Sequence, residues 1–155
     1  MTILLFDLPT QLYVCNQYLS KVFAGSDQVI DYRKGREVAD LSEIKRGCIN
    51  ILPHWKFPIL KGRKFDLLWN AASFQEMGAE TAKSYLDDGS GAKSMYLMYN
   101  IKYAGSKKEI GNRGVIDPSV ITRHKEISRT DARLALKPIV WLYCDSWWQR
   151  ASCRA

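Results

Sequence analysis

Residues 65–77 read Phe65-Asp66-Leu67-Leu68-Trp69-Asn70-Ala71-Ala72-Ser73-Phe74-Gln75-Glu76-Met77. The first five are a compact run of strand formers, and the small and polar residues after Trp69 make the turn that leaves it. A helix is predicted from about Ala79 to Leu86, closed by Asp87 to Gly91, and Ser94 to Ile101 is the next strand. Strand, turn, helix and strand in that order form a β-α-β unit with parallel strands and a right-handed crossover.

The same grammar extends toward the N-terminus. Thr2 to Phe6 (TILLF) is a short apolar strand that runs into the turn Asp7-Leu8-Pro9-Thr10. Thr10 is placed to cap a helix in which Leu12, Cys15, Leu19, Val22 and Phe23 recur at three- and four-residue spacing, with Gly25 ending it. Gln28 to Tyr32 reads as a short strand, Arg33 to Arg46 as a charged loop with a little helix, and Cys48 to Leu52 (CINIL) as a strand stopped by Pro53. His54 to Lys64 connects it to the opening stretch. Downstream, Lys102 to Gly114 is a polar loop, Pro118 to His124 a helical turn, and Ile139 to Tyr143 (IVWLY) a last strand. The fold class is therefore α/β, with mostly parallel strands flanked by helices.

Composition sets the limits. The 155 residues, 46% hydrophobic, suffice for one domain with its own core, residues 1–155, divided into a core over 1–101 and a C-terminal extension over 102–155 with a late strand. No apolar run reaches the roughly 18 residues of a spanning helix and no basic leader precedes Met1–Phe6, so a cytoplasmic protein without a membrane partner is expected. Cys15, Cys48, Cys144 and Cys153 have no metal-ligand or disulfide spacing. The net charge of +7 is spread over basic loops, Arg33 to Arg36, Lys61 to Lys64, Lys107 and Lys108, which suit solvent as well as phosphate. Nucleic acid is an unlikely partner on this pattern.

In open α/β sheets ligands bind beyond the carboxyl ends of the strands. Those positions hold Asp7, Pro53 with His54, Asn70 with Ser73, and Tyr99 with Asn100. An ionised Asp7 accepts hydrogen bonds at two oxygens and suits paired ribose hydroxyls, or it caps the following helix. By position His54 is a packed or surface loop residue, and Glu76 is a carboxylate placed favourably just before a helix. The tryptophans Trp55, Trp69, Trp147 and Trp148 can stack on a sugar or on adenine, but large aromatics are mostly core material, and no role is assigned to them.

FDLP followed by LYVCNQYLSKVF, a strand ending in LPHWK, then FDLLWNAASFQEM and a helix ending in YL, together resemble the sugar O-methyltransferases among the class I S-adenosylmethionine-dependent methyltransferases. The resemblance covers Thr2 to Ile101 and continues loosely at WLYCDSWW. It implies a Rossmann-like sheet and S-adenosylmethionine as cofactor. It gives Asp7 the cofactor ribose, Leu8 the adenosine, and Asn70, Ala71 and Ser73 the methionine portion near the acceptor. The acceptor is a sugar or nucleotide-sugar hydroxyl whose proton a base must remove, and His54 and Glu76 are the candidates. No metal is implied.

By the same resemblance TILLFD is the second strand. The first strand, central between the second and the fourth, and its glycine-rich cofactor turn have no counterpart; Gly105, Gly111 and Gly114 follow the wrong strand. Without a central strand two half-sheets stand about 9–10 Å apart. The chain is then a fragment or truncated enzyme, weak or inactive alone, with Met1 an internal or added start, or a separate chain supplies the strand. The alternative from another class is a basic, non-enzymatic α/β module for phosphate-rich partners.

Overall fold

A computed structural model describes residues 1–103, 120–131 and 141–151. The chain forms two compact units, Met1–Leu60 and Lys61–Ala155. Both are built from strands and helices, and the architecture is mixed α/β.

In the first unit, β1 (Ile3–Asp7), β2 (Val29–Ile30) and β3 (Ile49–Pro53) form a parallel sheet in the order β1-β3-β2. The central strand is the most buried: Ile51 and Leu52 are inaccessible, whereas β1 at the edge is only half-buried. Asn50, also buried, is satisfied locally, its Nδ2 donating to the carbonyls of Lys45 and Cys48 and its Oδ1 accepting from the Lys45 N–H at 3.1 Å. Helices α1 (Pro9–Val22) and α2 (Tyr32–Gly35) pack on β3. Thr10 lies inside α1 and does not cap it. Leu8 occupies the cap position without a side-chain acceptor, and Pro9 begins the helix, where a missing N–H costs nothing. Asp31 caps α2 by accepting from the N–H groups of Arg33 and Lys34. Gly35 is required by packing: a Cβ there would stand 1.8 Å from the Ile51 carbonyl oxygen.

In the second unit, β4 (Phe65–Ala71), α3 (Ala79–Asp88) and β5 (Ala92–Tyr103) make the expected parallel β-α-β unit, each element longer than its sequence pattern. β6 (His124–Asp131) and β7 (Trp141–Arg150) complete an order of β4-β5-β7-β6, the last two strands antiparallel to their neighbours. The helical turn expected at Pro118 to His124 ends instead in a strand from His124. Positions 104–119 and 139–140, which include most of the expected polar loop and the start of the last strand, lie outside the described residues.

One face of this sheet is core. Leu68, Met95, Leu97, Tyr99, Cys144 and Trp148 are buried there, and α3 contributes Ala82 and Leu86. The Trp148 indole N–H donates to Ser146 Oγ at 2.8 Å, and that hydroxyl donates to the Leu97 carbonyl at 3.0 Å, so the indole N–H and the Ser146 hydroxyl are both paired inside the core. Across the opposite face the register sets Trp69, Tyr96, Trp147 and Ser128 in one row. Trp69 is 59% exposed and Trp147 38%, and Trp55 in the first unit is exposed too, so three of the four tryptophans expected in the core are on the surface, while Trp148 is inside.

Two consequences are measurable. Gly35→Ala forces the α2 backbone away from β3 and lowers stability by about 2–3 kcal/mol in urea unfolding; a change below about 0.5 kcal/mol contradicts the close packing. Buried His124 sits 2.8 Å from the Ala92 carbonyl, and burial pulls its pKa below 6.5 despite that contact. The unfolded chain therefore takes up the proton first as pH falls below 6.5, and stability is lost in that range. His124→Gln, which retains an N–H donor, flattens this part of the pH–stability curve; an unchanged slope excludes His124 as its source.

Candidate functional site

The carboxyl end of the first unit's sheet gathers Asp7, Leu8 and His54. Asp7 and Pro53 are register partners on adjacent parallel strands, and His54 follows Pro53 directly. The Asp7 side chain is exposed, and one carboxylate oxygen accepts the Leu8 N–H at 2.7 Å. That bond fixes the carboxylate at the mouth of α1 and leaves its second oxygen available. Cys15, one helical face along, senses this charge: burial first, then the Asp7 carboxylate, pushes its thiol up. Leu8 is 54% exposed beside it. His54 opens a 3₁₀ segment (His54–Leu60) and packs its ring edge-on against Trp55, with centroids 5.1 Å apart.

The second unit carries the other candidates at the end of β4. Asn70 and Ala71 belong to the strand itself, which outlasts FDLLW, and Ala71 pairs with Met98. The Asn70 amide donates to Ser73 Oγ, its carbonyl oxygen accepts from the Phe74 N–H at 3.4 Å, and buried Phe74 anchors the turn near Tyr85. Ala72, between them, has φ of +65°, a conformation costly for a residue with a Cβ, and its N–H is held by the Met98 carbonyl at 2.8 Å. The turn is thus clamped from both sides. Glu76 ends a 3₁₀ turn (Phe74–Glu76) and is exposed. Tyr99 and Asn100, taken from the sequence as residues beyond a strand end, are inside β5, which runs on to Tyr103. Tyr99 is buried, and that burial pushes its hydroxyl up to about 12.

The fold therefore brings Asp7, Leu8 and His54 together in one unit and Asn70, Ala71, Ser73 and Glu76 together in the other. The strained Ala72 was missed by sequence reasoning, since an alanine carries no signal of a positive φ. Among the described residues no group of His, Cys, Asp and Glu side chains converges as a metal site.

A cofactor held by Asp7 also needs close backbone donors, which glycine permits. Gly35 and Gly91 are the described glycines where a Cβ has no room, and at both the obstruction is the protein's own backbone, the Ile51 carbonyl or the Arg63 carbonyl. They serve packing and form no ligand cradle. The described residues thus offer an exposed carboxylate at Asp7, and the two glycines without room for a Cβ do not add backbone donors to it.

Comparison with known protein families and with curated proteins finds no match to this chain.

If the Ala72 backbone stores strain, Ala72→Gly relieves it and raises the stability of the second unit by up to about 1 kcal/mol. Chemical denaturation followed by tryptophan fluorescence measures this. A loss of stability in the variant rules the strain out.

Proposed function

We propose that the chain is an incomplete S-adenosylmethionine-dependent O-methyltransferase acting on a sugar hydroxyl, with a Rossmann-like sheet completed by a strand from another polypeptide segment. The observation that carries this reading is the contrast between guarded and unguarded sheet edges. β2 is two residues long, and β6 carries Lys125, Glu126 and Arg129 with a register shift between Glu126 and Ser128. Short length, charge and bulges are devices that keep an edge from pairing. β1 (ILLFD) and β4 (FDLLWNA) have none of these beyond Asp66 within the strand and Asp7 at its end. They are the strands between which the sugar O-methyltransferase resemblance inserts its first strand.

On this reading Asp7 accepts the cofactor ribose, and the Asn70–Ser73 turn lies toward the methionine portion and the acceptor. Bound cofactor supplies the methyl group. A reacting sugar hydroxyl must lose its proton, and His54 and Glu76 are the bases that the strand ends offer. On this reading the described residues do not hold the cofactor alone, and the isolated chain is weak or inactive. The basic-module alternative is weaker because Arg33 and Arg36 are paired with Asp31 and Glu37, at 3.0 and 2.9 Å.

Isothermal titration of the purified chain with S-adenosylmethionine gives no micromolar binding. A complex recovered with a polypeptide carrying a glycine-rich turn binds it, and Asp7→Ala weakens that binding at least tenfold. Micromolar binding by the chain alone overturns the proposal, as does a complex that is indifferent to Asp7.

A further inference from the structure

The open face of the second unit's sheet has an organisation that methyl transfer does not use. Trp69 stacks on Tyr96, with centroids 3.9 Å apart and planes 22° from parallel. Trp147 stands against both rings, 5.1 Å from Tyr96 and 6.3 Å from Trp69, nearly perpendicular to the latter at 79°. Tyr96 takes one face of the Trp69 indole, and Trp69 is nevertheless 59% exposed, so its other face is open to solvent. Trp147 is the second ring with open surface.

Polar groups on the same face flank the rings. The Tyr96 hydroxyl donates to Asp145 Oδ1 at 2.7 Å, which fixes a carboxylate one row from the indoles with its other oxygen free of that bond. Burial and the Asp145 carboxylate push the Tyr96 hydroxyl up to about 12, so it stays a donor. In the row on the other side, the register sets Gln149 beside Lys125. Among the described residues the register thus places one cation, Lys125, and one anion, Asp145, beside the rings, in a chain of net charge +7.

We propose that this face binds an uncharged polysaccharide, whose pyranose rings stack on Trp69 and Trp147 while Asp145 and Gln149 hydrogen-bond to sugar hydroxyls. The C–H bonds of a pyranose face carry partial positive charge and meet the electron-rich face of an indole favourably. A carboxylate and a carboxamide between them accept from and donate to hydroxyls. Single-stranded nucleic acid also stacks on aromatic rings, but it needs a positive groove along its phosphates, and the described charges beside these rings, Lys125 and Asp145, are of opposite sign. The inference rests on the sheet face alone and stands whether or not the chain transfers a methyl group.

Titration of the full chain with cellohexaose, maltohexaose and laminarihexaose, followed by tryptophan fluorescence and calorimetry, tests it. At least one hexasaccharide binds with a dissociation constant below a millimolar and little dependence on salt. Trp69→Ala weakens that binding at least tenfold, Asp145→Asn several-fold, and Tyr18→Ala, which removes an exposed aromatic of α1, leaves it unchanged. Circular dichroism confirms that each variant folds. Failure of all three sugars to bind at ten millimolar overturns the proposal. So does salt-sensitive binding of oligothymidylate in their place, or concentration-dependent self-association abolished by Trp69→Ala without sugar binding.

Discussion

Backbone N–H and C=O groups at an open sheet edge must find partners in water or in another strand, and this requirement governs the molecule. Each sheet ends on a parallel strand, β1 in one unit and β4 in the other, whose outer edge no described residue pairs with. Parallel strands ordinarily sit inside sheets covered on both faces and read as continuous apolar runs. ILLF and FDLLW read in that way, yet they stand at edges. The half-exposed side chains of β1 and the surface position of Leu67 and Trp69 follow directly.

The candidate residues depend on the same strands. Asp7 is fixed because β1 ends where α1 begins and the carboxylate accepts the N–H between them. Asn70, Ala72 and Ser73 are fixed because β4 is hydrogen-bonded through Ala71 and Ala72 to Met98 while Phe74 anchors the other side of the turn. These turns are rigid on the side toward the protein and open on the side toward the unpaired edge. An account of function built on them therefore turns on what meets that edge.

The elements with strong local patterns were legible in the sequence. TILLF, CINIL, FDLLW and the helix after Gly78 appear where apolar runs and spacing put them, because each satisfies its own unit locally. β6 was not legible: HKEISRTD has no apolar alternation, and it is a strand because β7 pairs with it along its length. Thr10 was misjudged as a cap because the proline before it had already begun the helix. The tryptophans were misjudged through the reasonable rule that large aromatics are core. Trp148 obeys the rule, and its neighbour Trp147 cannot, because consecutive residues of a strand point to opposite faces.

The central claim is that β1 and β4 each have one edge that no described residue pairs with. The Ile3 N–H donates to the Cys48 carbonyl and the Ala72 N–H to the Met98 carbonyl, and the alternation of a parallel ladder then turns the amides of Leu4, Phe6, Leu67 and Trp69 outward. Residue-resolved amide hydrogen exchange on the isolated chain measures this directly. The account predicts rapid exchange at those four amides and slow exchange at their neighbours Leu5 and Leu68. Uniform protection through both strands contradicts it.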